Sequence, residues 1–302
     1  MEVKIEKEDH GKTLKSFLFG NLKLSRAQVS ALKSDPEGIM VDGSHVTVRH
    51  ILSEGECLSL RTDDTREGVN EDIVPVKMDL SFLYEDDNII VVDKSGNMPV
   101  HPSHNHRDDT LANAMAYHFM QKGIPFNFRA VNRLDRDTSG LVIVAKNRMS
   151  ANRFAKVIEG RSIQKGYIAI LNGTLSCKSG RITTHIKREK ESIITRCNCD
   201  ESEGDIAITD YEVIAEGGSL TLVRAYPITG RTHQLRVHFS GLGCAILGDS
   251  LYGEASELIS RHALHAESLE FIHPFKNEKM KIISEIPEDM KRIIREKILV
   301  EN

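Results

Sequence analysis

Asp135 and Asp137 stand two residues apart in the stretch VNRLDRDTSGLVIVAKN (131–147), among Arg133 and Arg136 and just ahead of an unbroken apolar run at 141–145. A carboxylate this close to a buried strand is costly unless a cation pairs with it. A carboxylate held by a guanidinium stays ionised at neutral pH, which suits a nucleophile or a base better than a general acid. A structural ion-pair network beside a turn would look the same, so the stretch by itself leaves both readings open. An aspartate phosphohydrolase is a third possibility, since such enzymes carry D-x-D-x-T directly after an apolar strand. Here Thr138 comes one place too early and the apolar strand follows the carboxylates. Such an enzyme also needs further carboxylates for magnesium, and no convincing downstream acidic pair is present.

The chain that must position this turn has 302 residues, enough for one large domain and a small one. Its net charge of −4 does not advertise nucleic-acid binding, but the charge is unevenly spread. Between Arg129 and Lys165 there are nine Lys or Arg against three acids, a local footprint suited to RNA. No apolar run is long enough to span a bilayer, and the N-terminal MEVKIEKEDHGK lacks the apolar core of a signal peptide. The protein therefore reads as soluble and cytoplasmic. The five cysteines are an odd count in a chain that is not small, which argues against a disulfide framework. Cys197 and Cys199, near His185, lack the second ligand pair of a zinc site and read as reduced thiols in or near a hairpin.

The first sixty or so residues look like a separate module. Leu14, Phe17 and Leu18 have helical spacing, and Ser25 is placed to cap a second helix, SRAQVSALKS. A strand at 39–41, an Asp42-Gly43 turn and strands at 46–48 and 56–60 follow. The stretch RTDDTREGVN (61–70) is polar and charged. A linker over 63–72 then divides a module at 1–62 from a second domain at 73–302. In that domain, helices are expected at 110–120 and 150–160, the latter capped by Ser150 and stopped by Gly160. Strands are expected at 89–94, 141–146, 166–171 and 220–226, and a helix start is expected after Thr229-Gly230, with Gly241 as its stop. His233 and His238 read as structural, and a C-terminal helix from Glu288 should pack through Met290, Ile293, Ile294 and Leu299. Strands and helices do not alternate as a doubly wound sheet requires. The fold class is α+β, or mixed α/β, with a largely antiparallel central sheet.

The element order of the first module resembles the small RNA-binding domain named after ribosomal protein S four. The resemblance implies RNA contacts from Lys23, Arg26 and Lys33, in a stretch (22–34) without acidic residues. In the second domain, NRLDRDTSG (132–140) resembles the H-R-L-D-x-x-T-S-G signature of RluA-type RNA pseudouridine synthases. Further matches follow in the family's order: PVHPS at 99–103, KGYIA at 165–169 and TGRTHQLRVH at 229–238. GDSLYG at 248–253, ALHA at 263–266 and His273-Pro274 complete them.

The resemblance implies an isomerase that detaches a uracil from its ribose at N1, rotates it and rejoins it through C5, with neither cofactor nor metal. It implies a catalytic carboxylate at Asp135, which attacks or deprotonates the ribose. It implies a basic partner at Arg231 that keeps Asp135 ionised, and a tyrosine at Tyr167 that stacks on the uracil and acts as a base late in the reaction. A base inside a helix must be flipped out for this chemistry, which needs an aromatic platform and a residue to fill the gap. Arg133 can fill the gap or hold a phosphate, with Arg136 and Lys165 as further RNA contacts. The expected partner is ribosomal or transfer RNA, bound by a monomer. Asn132 departs from the family's histidine. A binding-only RNA assembly factor that retains the fold is the alternative reading, and the intact Asp135, Tyr167 and Arg231 argue against it.

Overall fold

Residues 1–61, 72–189, 192 and 194–299 are described by the structure, a computed structural model. All of the expected linker except Asp72 lies outside them. The chain divides into two units, Met1–Val69 with Asn147–Ser150, and Asn70–Lys146 with Ala151–Asn302.

The first unit holds β1 (Glu2–Lys4), α1 (Leu14–Gly20), α2 (Arg26–Ser34), β2 (Ile39–Val41), β3 (Ser44–His45) and β4 (Cys57–Leu60). Its sheet runs in the order β1-β4-β2-β3. Thr13 caps α1, which buries Leu14, Phe17 and Leu18. Ser25 caps α2 through a reciprocal box with Gln28, so the chain enters this helix at the expected place. Asp42 and Gly43 both have positive φ, as a two-residue hairpin turn demands. The strand expected at 46–48 does not form. The β2 ladder ends at His45, with one long bond beyond it from the Val46 amide to the Ile39 carbonyl at 3.4 Å, and the Val48 carbonyl accepts from the Lys15 amide at 2.9 Å, drawing the chain toward α1.

The second unit holds β5 (Ser81–Glu85), β6 (Ile89–Lys94), α3 (Leu111–Gln121), β7 (Ser139–Ala145), α4 (Arg148–Glu159) from Ala151 onward, β8 (Gln164–Asn172), β9 (Ser179–Arg188) and β10 (Arg196–Cys199). After these come β11 (Asp205–Gly217), β12 (Leu220–Pro227), α5 (Gln234–Gly241), β13 (Leu264–Ile272), β14 (Lys279–Ile283) and α6 (Glu288–Ile293). One ten-stranded sheet, in the order β10-β9-β11-β12-β8-β13-β7-β6-β5 with β14 on β13, joins its strands. Every pair is antiparallel except β13 with β7, so the sheet is largely antiparallel, as expected.

All seven residues of β7 are buried. Alternate side chains on β6 and β7 serve two cores. Ile90, Val92, Val142 and Val144 pack with Leu111 and Met115 of α3 and Met290 of α6. Ile89, Val91, Leu141 and Ile143 pack with Phe154 of α4 and Phe271 of β13. Gly140 lets β13 approach: its φ is +111°, and a Cβ there would lie 2.3 Å from the Ala266 carbonyl oxygen.

Three local expectations need correcting. The helix α4 starts at Arg148, and its cap is Asn147, whose side chain accepts from the Ser150 amide at 2.8 Å. The helix after Thr229-Gly230 starts only at Gln234, because His233 is left-handed (φ 58°). Leu299 is exposed, whereas Met290, Ile293 and Ile294 are buried, because the last helical turn widens into a π-helix at Ile294–Ile298 and shifts the apolar phase. The five cysteines are free. Cys199 sits opposite His185 in the β9–β10 ladder, with its thiol toward the His185 carbonyl. Among the described residues no helix is long and apolar enough to cross a membrane.

Candidate active site

The turn that carries Asp135 is fixed from both sides. Before it, the Asn132 amide bridges to β7, donating to the Leu141 carbonyl at 3.0 Å and accepting from the Ile143 amide at 2.8 Å. After it, the Thr138 hydroxyl meets His262 Nε2 at 2.7 Å and Ser139 meets His265 Nδ1 at 3.0 Å. Beneath it, the ammonium of fully buried Lys94 donates to the carbonyls of Ser95, Met98 and Arg136. Burial, with the nearby Arg261 charge, pushes the Lys94 pKa down to about 7. Arg261 donates to the Asp137 carbonyl at 3.0 Å and is itself held by Asp289 of α6. Backbone carbonyls of the turn are thus satisfied by two buried basic side chains, which fixes the carboxylate without touching it.

Asp135 is partly exposed and faces Arg236, whose Nη1 donates to its Oδ2 at 3.3 Å. The rest of the Arg236 guanidinium is committed to Asp249, at 2.7 and 2.8 Å, in a bidentate pair with a carboxylate that is fully buried. Tyr252 lies under the same guanidinium, 5.0 Å from its ring centroid. Burial works against the charge on Arg236, but Asp249 and Asp135 outweigh it and keep the group firmly cationic. Burial likewise works against ionisation of Asp249, and Arg236 reverses it. The result is a row, Asp249–Arg236–Asp135, with only its last carboxylate facing the pocket.

His233 completes the neighbourhood. Its Nε2 is 3.8 Å from Asp135 Oδ2 and its Nδ1 is 2.8 Å from the Tyr252 hydroxyl. Burial lowers its pKa, only partly offset by Asp135, so the ring is neutral at pH 7. It belongs to the site, in contrast to the structural reading of it. His238, buried between Thr184 and Thr209, is structural as expected.

The pairing expected of Arg231 is made by Arg236 instead. Arg231 precedes α5 on an extended turn. Its Nη1 pairs with Asp205 at 3.4 Å and its Nε donates to the Ile206 carbonyl at 3.1 Å. Gln234 holds this turn, accepting from the Thr229 hydroxyl and the Arg231 amide and donating to Ile208. Arg236 lies two positions into the helix, buried, where it reaches across to Asp135.

Tyr167 lies on β8 opposite Ala225, with its side chain in the same pocket. Burial and the negative charge of Asp135 raise its pKa, so the phenol stays protonated at neutral pH. The pocket is about 910 Å³ and includes Asp135, Tyr167, Arg231, His233 and Arg236. Arg133 and Arg136 are exposed on its wall, Arg136 paired to Asp137 at 2.8 Å. Burial outweighs nothing at Asp137: it raises the pKa, but Arg136 brings the net shift downward. Lys165 also lines the pocket, and burial lowers its pKa. Lys23, Arg26 and Lys33 are exposed on the first unit, flanking and along α2. Among the described residues no group of three His, Cys, Asp or Glu is arranged to hold a metal ion.

A family model described as RNA pseudouridylate synthase matches residues 88–241. The chain is 34% identical over 276 residues to the uncharacterized RNA pseudouridine synthase YjbO of Bacillus subtilis, covering 91% of this chain and 96% of that one. It is 32% identical to the ribosomal large subunit pseudouridine synthase D of Pseudomonas aeruginosa, covering 83% and 81%. A solved structure, human RNA pseudouridylate synthase domain containing 1, superposes with a TM-score of 0.59 at 30% identity, covering 68% of this chain and 83% of that one.

Proposed function

The chain belongs to the RNA pseudouridine synthases of the RluA type and is an isomerase acting on RNA, and on that premise we propose that it isomerises specific uridines in large-subunit ribosomal RNA, with Asp135 as the catalytic carboxylate. The observation that carries the assignment of Asp135 is the row Asp249–Arg236–Asp135, which ends in one carboxylate inside a pocket that also holds Tyr167. The reaction breaks the N1–C1′ bond and forms C5–C1′. The proton on C5 departs to solvent and N1 gains one, so the composition of the nucleotide is unchanged.

Asp135 acts on the ribose of a flipped uridine, and Arg236 holds it aimed. Arg236 takes the role that the motif reading gave to Arg231. Tyr167 is the platform for the uracil; its raised pKa supports a neutral phenol against the base rather than a phenolate. Arg133, exposed at the pocket, fills the gap left by the flipped base. Arg136 and Lys165 contact the phosphates around it. Lys23, Arg26 and Lys33 of the first unit supply a second RNA contact of the S-four type, and the protein works as a cytoplasmic monomer. The name carried by the Pseudomonas relative supports the ribosomal target over transfer RNA.

Tritium release from RNA labelled at C5 of uridine tests this reading. Release from large-subunit ribosomal RNA, abolished in Asp135→Asn, is the expected result. Release from transfer RNA alone would replace the target. RNA binding by the wild type without release from either, and with a large loss of affinity in Asp135→Asn, would make the protein a binding factor.

A further inference from the structure

A second cavity, about 620 Å³, adjoins the Asp135 pocket and shares Gly230, Arg231 and Thr232 with it. Four of its residues are cationic, Lys187, Arg188, Arg196 and Arg231, and two are acids, Glu203 in the turn between β10 and β11 and Asp205 at the start of β11. The acids face particular cations: Glu203 pairs with Lys187, and Asp205 with Arg231 at 3.4 Å. We infer that this cavity is a subsite for the phosphodiester backbone flanking the target uridine, and that Glu203 and Asp205 occupy the phosphate positions while RNA is absent. The inference rests on the RNA reading given above and extends it to a new part of the molecule.

Three observations support it. The cavity is linked to the catalytic carboxylate by a short chain of contacts. The Arg196 amide donates to the Tyr252 hydroxyl at 2.8 Å, Tyr252 meets His233 at 2.8 Å, and His233 lies 3.8 Å from Asp135. The shared residues Gly230, Arg231 and Thr232 make the two cavities continuous, so a strand whose base sits over Tyr167 can run on along this wall. Next, the acidic turn is built to press on β9. A Cβ on Gly204 would lie 2.4 Å from Cys199 Sγ and 2.9 Å from the Ile186 backbone, so glycine is what lets Glu203 and Asp205 flank the hairpin at this depth. Finally, the pairs are solvent-facing, with the acids at 51% and 71% side-chain exposure. Exposed pairs of this kind contribute little to stability and exchange readily for a stronger anion. An Arg guanidinium can take a carboxylate or a phosphate through the same N–H···O contacts, and a Lys ammonium attracts either as a point charge.

The full-length protein and a fluorescein-labelled oligouridylate provide the test, with anisotropy measured over a series of KCl concentrations. Lys187→Ala/Arg188→Ala should weaken binding and reduce the slope of log Kd against log salt by about 1.4, two single-strand phosphate contacts. Glu203→Gln/Asp205→Asn should bind several-fold more tightly at low salt, a gain that misfolding cannot imitate. Lys279→Ala/Lys281→Ala, the same charge loss on β14, should leave the slope as in the wild type. The inference is overturned if the first double variant keeps the wild-type slope, if the β14 control loses as much, if the acid-neutralised variant fails to tighten, or if the wild type does not bind at low salt. Tritium release reports separately on the catalytic reading. A silent enzyme whose salt slope still answers to Lys187 and Arg188 would refute the activity and retain the subsite.

Discussion

Arg231 and Arg236 lie five positions apart in one motif, and the fold gives them opposite surroundings. Arg231 sits on the turn before α5 with 36% of its side chain exposed, paired to an exposed Asp205. Arg236 sits inside α5 at 9%, locked to fully buried Asp249 and pointed at Asp135. An exposed pair is screened and rearranges when a ligand arrives. A buried bidentate pair does neither, so it suits a charge that must hold one carboxylate in one orientation. The position of a basic residue in a motif therefore says less about its role than the second partner that fixes it.

The sharpest break of this comparison lies at Asp135, the carboxylate that Arg236 reaches while Arg231 pairs with Asp205. Asp135→Asn keeps the shape of the side chain and removes its charge, and it should lower turnover by at least about 10³-fold with little change in RNA affinity. Single-turnover rates beside binding curves would separate the two effects. Retained turnover would move the catalytic role away from Asp135. Next, Arg236→Lys should reduce kcat by about 10²-fold, because an ammonium cannot hold Asp249 bidentately and still reach Asp135. The same change at Arg231 should leave kcat within about fivefold and appear mainly in KM, since a lysine keeps the charge at an exposed site. Equal losses at the two positions would erase the distinction drawn here.

Much of the site was legible because it is local. The turn at 132–140 carries its acid, its Thr-Ser-Gly and its buried strand in one string, and Tyr167 lies in a strand with its own short motif. The antiparallel sheet also followed from the lack of regular strand–helix alternation. What the sequence withheld depends on distant pairing. Arg236 meets Asp135 across 101 positions of chain, and no local pattern distinguishes it from Arg231. Two signals existed. Asp249, in Gly248-Asp249, was an acid without an assigned partner, and Arg236 stood between the apolar Leu235 and Val237 as a cation without one. Lys94 closed an apolar strand, IIVVDK, and a lysine there invites the question of what satisfies it. The left-handed His233 that delays α5 has no such signal, because nothing in TGRTHQ demands a positive φ.

The contrast between buried and exposed sides of this segment extends to pH. His238, on the buried side of α5, has its pKa lowered to about 4 by burial. Between the unfolded value near 6.5 and about 4, the unfolded chain takes up a proton that the folded protein refuses. Stability from this residue is therefore present above about pH 6.5 and lost as pH falls toward 4, by about 2–3 kcal/mol. His262 and His265, lowered likewise to about 4, act in the same direction. Urea unfolding at pH 7, 5.5 and 4.5 should show this fall, and His238→Gln should make it shallower. A variant with the wild-type pH slope would show that His238 is not buried as a neutral ring. No comparable slope is expected from Arg231→Gln, since an exposed ion pair contributes at most about 1 kcal/mol.

The smallest effect is expected where the turn departs from the signature it resembles. Asn132 stands at the position of that signature's histidine, and its amide both donates to Leu141 and accepts from Ile143, on alternate residues of β7. A neutral imidazole also offers one donor and one acceptor, on opposite sides of its ring. It can therefore keep at least one of the two bonds and hold the turn near its present place. The side chain does not reach Asp135, so what changes is the precision of the turn and not its chemistry. Asn132→His should keep turnover within about tenfold. Asn132→Leu, with neither donor nor acceptor, leaves the Ile143 amide and the Leu141 carbonyl without their side-chain partner and should cost about 1–3 kcal/mol of stability. If Asn132→His were as inactive as Asp135→Asn, the amide would be doing more than stapling the turn, and the rigid frame around Asp135 would have to include a substrate contact at Asn132.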